Sequence, residues 1–297
     1  MEALYFCLTM DCERILAESP PGGPPDWEFS RRSIEGFRDI LSSESQRATF
    51  FIVPETASKH ADLWHQMAPE ECELGLHVHP QSLGDHRWTE YLGSYSAEIQ
   101  MGIIEEAMDA WSDALGTSPH AFRPGNFSAS DATFRVLCDL EFTHGSVSAP
   151  GRCLPEFAAV WTGAPPFVHR AHPWFRMIEG KSDFLEAPTT EDQTRYKKNS
   201  PERVLPHELR VEWGDPDVHS RTLRNAVQQM LTTGREPFAL IAITHNHIDY
   251  FNPDSSGTRN LRAMIRIARE AAREQDLELL PATIGQIRDA FLEMEAL

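Results

Sequence analysis

The sequence predicts an α/β fold in which helices cover a parallel sheet that is either open or closed into a barrel. Short apolar runs alternate with amphipathic helical segments along the 297 residues. Titratable and cationic residues gather just beyond the apolar runs, the position that carries the active site in α/β barrels. No repeat and no linker divides the chain, and its length lies within the range of one α/β barrel, so a single catalytic domain over residues 1–297 is expected.

Taken in order, residues 4–10 read as the first strand, and the Pro/Gly-rich stretch 19–25 reads as a loop. Residues 30–41 form the helix behind it, followed by strands at 48–53 and 72–78. Residues 97–115 have helical spacing, with Ile99, Ile103, Ala107 and Ala110 on one expected face. A short strand at 121–123 meets the breaker Pro124-Gly125, and 130–140 is helical with Asp131 in its first turn. From 143 to 173 periodicity is poor, which predicts long loops across one barrel face. Strands follow at 184–187, 238–244 and 277–280, and helices at 218–232, 259–274 and 284–293.

Composition narrows the function. Hydrophobic residues make up 41%, enough for a sizeable core. The net charge of −18, from 27 Lys plus Arg against 45 Asp plus Glu, repels phosphate backbones and anionic headgroups. The nearest basic run, Arg195-Tyr196-Lys197-Lys198, is short and reads as a solvated loop, so neither nucleic acid nor membrane is expected as a partner. The first apolar run has no basic leader, and no window is long enough to span a bilayer. Five cysteines without C-x-x-C spacing argue for reduced thiols and a cytoplasmic location.

Four strand ends carry the candidate chemistry. In Asp11-Cys12-Glu13 the outer residues share a face of an extended segment, so both carboxylates can enter one cavity while Cys12 turns into the wall. In His77-Val78-His79 two imidazoles share a face, as suits zinc or a similar divalent ion. Arg123 follows the apolar Ala121-Phe122 and can hold a neighbouring carboxylate ionised. His245 and His247 end the apolar run 238–244, where either can serve as a general acid.

These residues fall in the order of a known set of motifs. Thr9-Met10-Asp11, Ala48-Thr49-Phe50-Phe51-Ile52-Val53, Glu73-Leu74-Gly75-Leu76-His77, Phe122-Arg123-Pro124-Gly125 and Ile243-Thr244-His245 resemble the motifs of the polysaccharide deacetylase (NodB-like) family over about residues 4–247. The resemblance implies a distorted (β/α) barrel, an acidic-His-His metal site, an Asp base paired with Arg and a late His acid. Carried over, Asp11 looks like the base, Arg123 its partner, His245 the acid and His77 the first histidine ligand. The pattern diverges at two points. Cys12 stands where the usual motif has a second aspartate, and Glu13 fits a variant with its carboxylate two residues after the base. Gln81 stands where the usual second histidine would be, and His79 is the nearer candidate. The expected ligands are therefore Glu13, His77 and His79, with the Cys12 thiolate as the alternative to Glu13, and the expected ion is zinc.

The implied reaction is metal-dependent hydrolysis of an amide, N-deacetylation of an N-acyl sugar or another small N-acyl compound. Backbone near Asn126 is a candidate oxyanion donor. Trp161, Phe167, His169, His172, Trp174 and Phe175 either wall a pocket or pack a long loop on the barrel rim. Two alternatives keep the fold: a cyclic amide or ureide hydrolase, and an inactive sugar-binding relic. Oligomeric state is left open.

Overall fold

The structure is a computed structural model and describes residues 2–19, 22–67, 71–83, 87–200 and 203–296. Its strands and helices, in chain order, are β1 (Ala3–Cys12), α1 (Trp27–Ser43), β2 (Ala48–Ile52), α2 (Pro54–Lys59), α3 (Ala61–Trp64), β3 (Cys72–Val78), α4 (Ala97–Leu115), β4 (Ala121–Pro124), α5 (Thr133–Asp139), β5 (His144–Gly145), β6 (Cys153–Leu154), β7 (Ala159–Val160), β8 (His169–Arg170), β9 (Leu185–Glu186), β10 (Glu191–Ser200), β11 (Arg203–Glu208), α6 (Pro216–Thr233), β12 (Phe238–His245), α7 (Ser256–Glu274), β13 (Glu278–Pro281) and α8 (Ile284–Glu295). Of the expected loop 19–25, Pro20 and Pro21 lie outside the described residues.

The main sheet runs β12-β1-β2-β3-β4-β5-β9-β8, with β13 added beside the first half of β1. All its pairings are parallel except β8 with β9. Strands covered on both faces read as continuous apolar runs, which explains β12, where seven of eight residues are buried. The sheet curls until irregular chain meets its far edge. Thr190 N donates to Ile241 O (3.0 Å), Val211 N to Ile243 O (3.0 Å) and Ile243 N to Leu209 O (3.0 Å). The result is the distorted (β/α) barrel that the motif order implies, with irregular segments as its last staves.

Alternation along β1 sorts its residues between two cores. Leu4, Phe6, Leu8, Met10 and Cys12 point outward under the helices, while Cys7 joins Phe51, Ala121, Ile241 and Ile284 in a smaller inner cluster. The helices start where a side chain can take their free N–H groups. Asp26, Asp215 and Ser255 cap α1, α6 and α7, and Thr283 with Gln286 forms a capping box on α8.

Three expectations change. The buried stripe of α4 is Gln100, Ile103, Ile104, Ala107, Trp111 and Leu115, while Ile99 and Ala110 face solvent. The 3.6-residue period sets the stripe's width, and the neighbours α2 and α5 set its direction. Arg195 to Lys198 form no loop but lie in the antiparallel hairpin β10–β11. Asp131 precedes α5 instead of entering it, and pairs with Arg176 (2.9 Å).

Candidate active site

The C-terminal ends of β1, β3, β4 and β12 meet at one end of the barrel. Strand register puts their functional residues at one height, with Asp11 opposite His245 and His77 opposite Arg123. Above them opens a cavity of about 530 Å³ lined by Asp11, Glu13, His77, His79, His245 and His247 among others.

Arg123 lies beneath the cavity floor, fully buried, and does not line it. Its Nη1 donates to Asp11 Oδ1 (2.7 Å) and Thr9 Oγ1 (2.8 Å), and its Nε to Ser146 O (3.3 Å). The guanidinium stacks 4.3 Å from the Phe51 ring centre. Burial alone would raise the Asp11 pKa, but the charges of Arg123, His77 and His245 outweigh it and hold the carboxyl below its ordinary 3.8. The sequence reading grouped Arg123 with the catalytic residues. It meets the site through Asp11.

Glu13, His77 and His79 come together on the other side of Asp11. Glu13 Oε1 lies 3.2 Å from His77 Nε2 and 2.8 Å from His79 Nε2. His77 Nδ1 donates to Arg123 O (2.9 Å), so a neutral ring would present the lone pair of Nε2 to a carboxylate oxygen. Two acceptors at that distance need a cation between them, either a proton or a metal ion. Glu13 Oε2 and His79 Nδ1 are buried with no hydrogen-bond partner among the described residues. The carboxylates of Asp11 and Glu13 raise the His77 pKa against the opposing effect of burial. Two imidazoles and one carboxylate, with room for a further ligand, fit the donor set of a catalytic zinc ion. Cys12 does not share this site. Its Sγ lies in the outer core, 3.8 Å from Met10 O, and burial beside Asp11 and Glu13 pushes its thiol pKa well up.

His245 closes the opposite side. Its Nε2 is 3.8 Å from Asp11 Oδ2, and its Nδ1 is 2.6 Å from Glu212 Oε1. Burial would raise the Glu212 pKa, but His245 and Arg210 bring it down to about 2. His247 differs. Burial and the neighbouring His245 push its pKa down to about 4, so it is uncharged at neutral pH.

Sequence reasoning missed Glu212 and the ion pairs behind it, in which Arg210 Nε donates to Glu208 Oε2 (2.9 Å) and Arg152 also donates to Glu208. A signal was present. Glu208-Leu209-Arg210-Val211-Glu212 alternates polar and apolar, and Leu209 and Val211 are buried while Arg210 and Glu212 line the cavity. Asn246 was also missed. Its Oδ1 accepts from Glu13 N (3.0 Å) and its Nδ2 donates to Glu13 O (2.8 Å), which ties the end of β12 to the end of β1.

The stretch 161–175 does not wall the cavity. Trp161 is fully buried, donating from Nε1 to Phe127 O (2.8 Å), whereas Trp174 and Phe175 are more than half exposed. The cavity's aromatic lining comes from Tyr91, Phe127, Phe157 and Trp213.

Comparison with known proteins agrees with this architecture. The family profile described as "Polysaccharide deacetylase" matches residues 25–145. No curated protein matches the chain in sequence. Among solved structures, a Mycobacterium smegmatis protein assigned as a polysaccharide deacetylase aligns with TM-score 0.62 and 15% identity, covering 99% of this chain and 92% of its own. PuuE allantoinase aligns at 0.58 and 16%, covering 96% and 88%. A Pseudomonas aeruginosa PAO1 protein, likewise assigned as a polysaccharide deacetylase, aligns at 0.57 and 15%, covering 96% and 89%. At these identities the solved structures speak for the fold. The fold is the deacetylase-type barrel of these solved structures, and the polysaccharide deacetylase profile resembles this chain over its first half. Among the described residues no helix is long and apolar enough to cross a membrane.

Proposed function

We propose that the protein is a divalent-metal-dependent N-deacetylase acting on an N-acyl sugar or another small N-acyl compound. One observation carries the reading. The Arg123-held carboxylate of Asp11 faces His245 across 3.8 Å, and the Glu13-His77-His79 set opens on the same cavity.

Glu13, His77 and His79 would hold the ion, with zinc the best match to two imidazoles and a carboxylate. A divalent ion there polarises a carbonyl oxygen and lowers the pKa of water. Arg123 keeps Asp11 ionised, so Asp11 can take a proton from the attacking water. Backbone N–H at Asn126, on the cavity wall, is the assigned donor to the developing oxyanion. His245 gives its Nε2 proton to the departing nitrogen, and Glu212 on Nδ1 stabilises the imidazolium beforehand. His247 is uncharged at neutral pH and has no such proton to give.

The test is turnover by the metal-reconstituted protein on N-acetylated sugars, scored by released acetate and free amine, beside a cyclic ureide scored by ring opening. Metal-dependent release of acetate and amine is expected. Ring opening alone would replace this reading with the cyclic amide hydrolase. Turnover that survives complete chelation would remove the metal from it.

A further inference from the structure

The cavity contains a second ligand set of the same composition as the first. Glu212, His245 and His247 each offer one ligating atom, and these atoms all lie within 4.8 Å of one another. The two sets share one plan. Each takes an H-x-H pair from the C-terminal end of a parallel strand, β3 or β12, and one glutamate from a different segment. Both also hold buried side-chain atoms with no hydrogen-bond partner among the described residues: Glu13 Oε2 and His79 Nδ1 in the first, Glu212 Oε2 and His247 Nδ1 in the second. Buried polar atoms in folded proteins are nearly all satisfied, so such orphans need a physical account. In the second set, a cation held by Glu212 and His247 would supply one.

One group opposes it. Arg210 Nη1 stands 3.3 Å from Glu212 Oε1 and from both ring nitrogens of His245. Its charge is partly offset by Glu208, at 2.9 Å from Nε, but it still lowers cation affinity here relative to the Glu13 set.

We propose that Glu212, His245 and His247 form a second divalent-cation site for zinc-class ions, weaker than the Glu13-His77-His79 site and inhibitory when filled. His245 Nδ1 already meets Glu212 Oε1 at 2.6 Å, so it is the nitrogen the ion takes. The proton shared between Nδ1 and Glu212 then leaves to solvent. The remaining Nε2–H belongs to a neutral ring bound to the ion and gives up its proton far less readily than an imidazolium. The inhibition rests on His245 acting as the acid, whereas the site itself does not.

The test soaks crystals of the full, metal-stripped chain with zinc chloride, at one equivalent and in large excess, and maps the ions by anomalous scattering at the zinc edge. One peak is expected first, at Glu13-His77-His79, and a second in excess zinc between Glu212, His245 and His247. His247→Gln should lose the second peak and keep the first, and Glu212→Gln gives an independent variant with the same expected result. Excess zinc should depress wild-type turnover over the range in which the second ion binds, and depress His247→Gln far less. A single peak in excess zinc, or a second peak unchanged in both variants, would overturn the site. A second peak without inhibition would overturn the inhibitory role. A second peak with no first would remove the proposed catalytic metal site and the affinity order, and leave the second site in place.

Discussion

Asp11 and His245 are register partners across β1 and β12, and His245 Nε2 stands 3.8 Å from Asp11 Oδ2. A carboxylate and an imidazole therefore face each other at one height, with Arg123 behind Asp11 and Glu212 behind His245, the arrangement that the proposed base and acid require. An amide leaves only with a proton on nitrogen, whereas an activated ester needs none. His245→Gln should thus lower kcat on an amide by about 10²–10⁴ and on the matching ester far less. Measuring both substrates decides it. Equal losses would make His245 a binding residue. His247→Gln should show no such preference, since its pKa of about 4 leaves it uncharged.

Arg123→Met leaves the Asp11 carboxylate buried without its counter-charge. Breaking such a pair typically costs about 3–5 kcal/mol, so denaturant unfolding should show a large loss of stability. The pH dependence follows from the sign of the Asp11 shift. A folded-state pKa below 3.8 means that Asp11 contributes stability above the ordinary value, lost as pH falls through the lower one. Without Arg123, burial dominates and the Asp11 pKa rises. The acidic limb of kcat/KM should move to higher pH, and a limb that stays in place would show that Arg123 does not keep Asp11 ionised.

Glu13→Ala should abolish tight metal binding, while Cys12→Ser should leave metal content unchanged. Glu13 faces both histidines, and the Cys12 thiol is buried on the outer side of β1. Metal analysis of the two purified variants is the measurement. The reverse result would make the ligand set Cys-His-His.

A Cβ on Gly125 would lie 2.3 Å from the His79 ring, nearer than any real contact. Gly125→Ala should therefore push the His79 imidazole off its position while the barrel stays folded. Metal affinity should fall by roughly 10–100-fold, the usual effect of disturbing a ligand's support. Titration calorimetry together with circular dichroism separates this from unfolding, and wild-type affinity would remove Gly125 from the site's support.

Much of the site was legible in the sequence because strand geometry is local. A period of two sends Asp11 and Glu13 inward and Cys12 outward whatever the rest of the chain does, and it pairs His77 with His79 in the same way. Apolar runs at β1, β2, β3 and β12 announced buried parallel strands, and the polar residues at their ends announced the end of the barrel that carries the cavity. Other features depended on which segments become neighbours. The same alternation over residues 208–212 became informative only when Leu209 and Val211 bridged to Ile243 and carried Glu212 to His245. The direction of the α4 stripe and the aromatic wall of the cavity were likewise set by contacts between residues far apart in the chain. Periodicity assigns a side chain to a face, whereas its partner, burial and charge state depend on the packed neighbours that only the tertiary structure supplies.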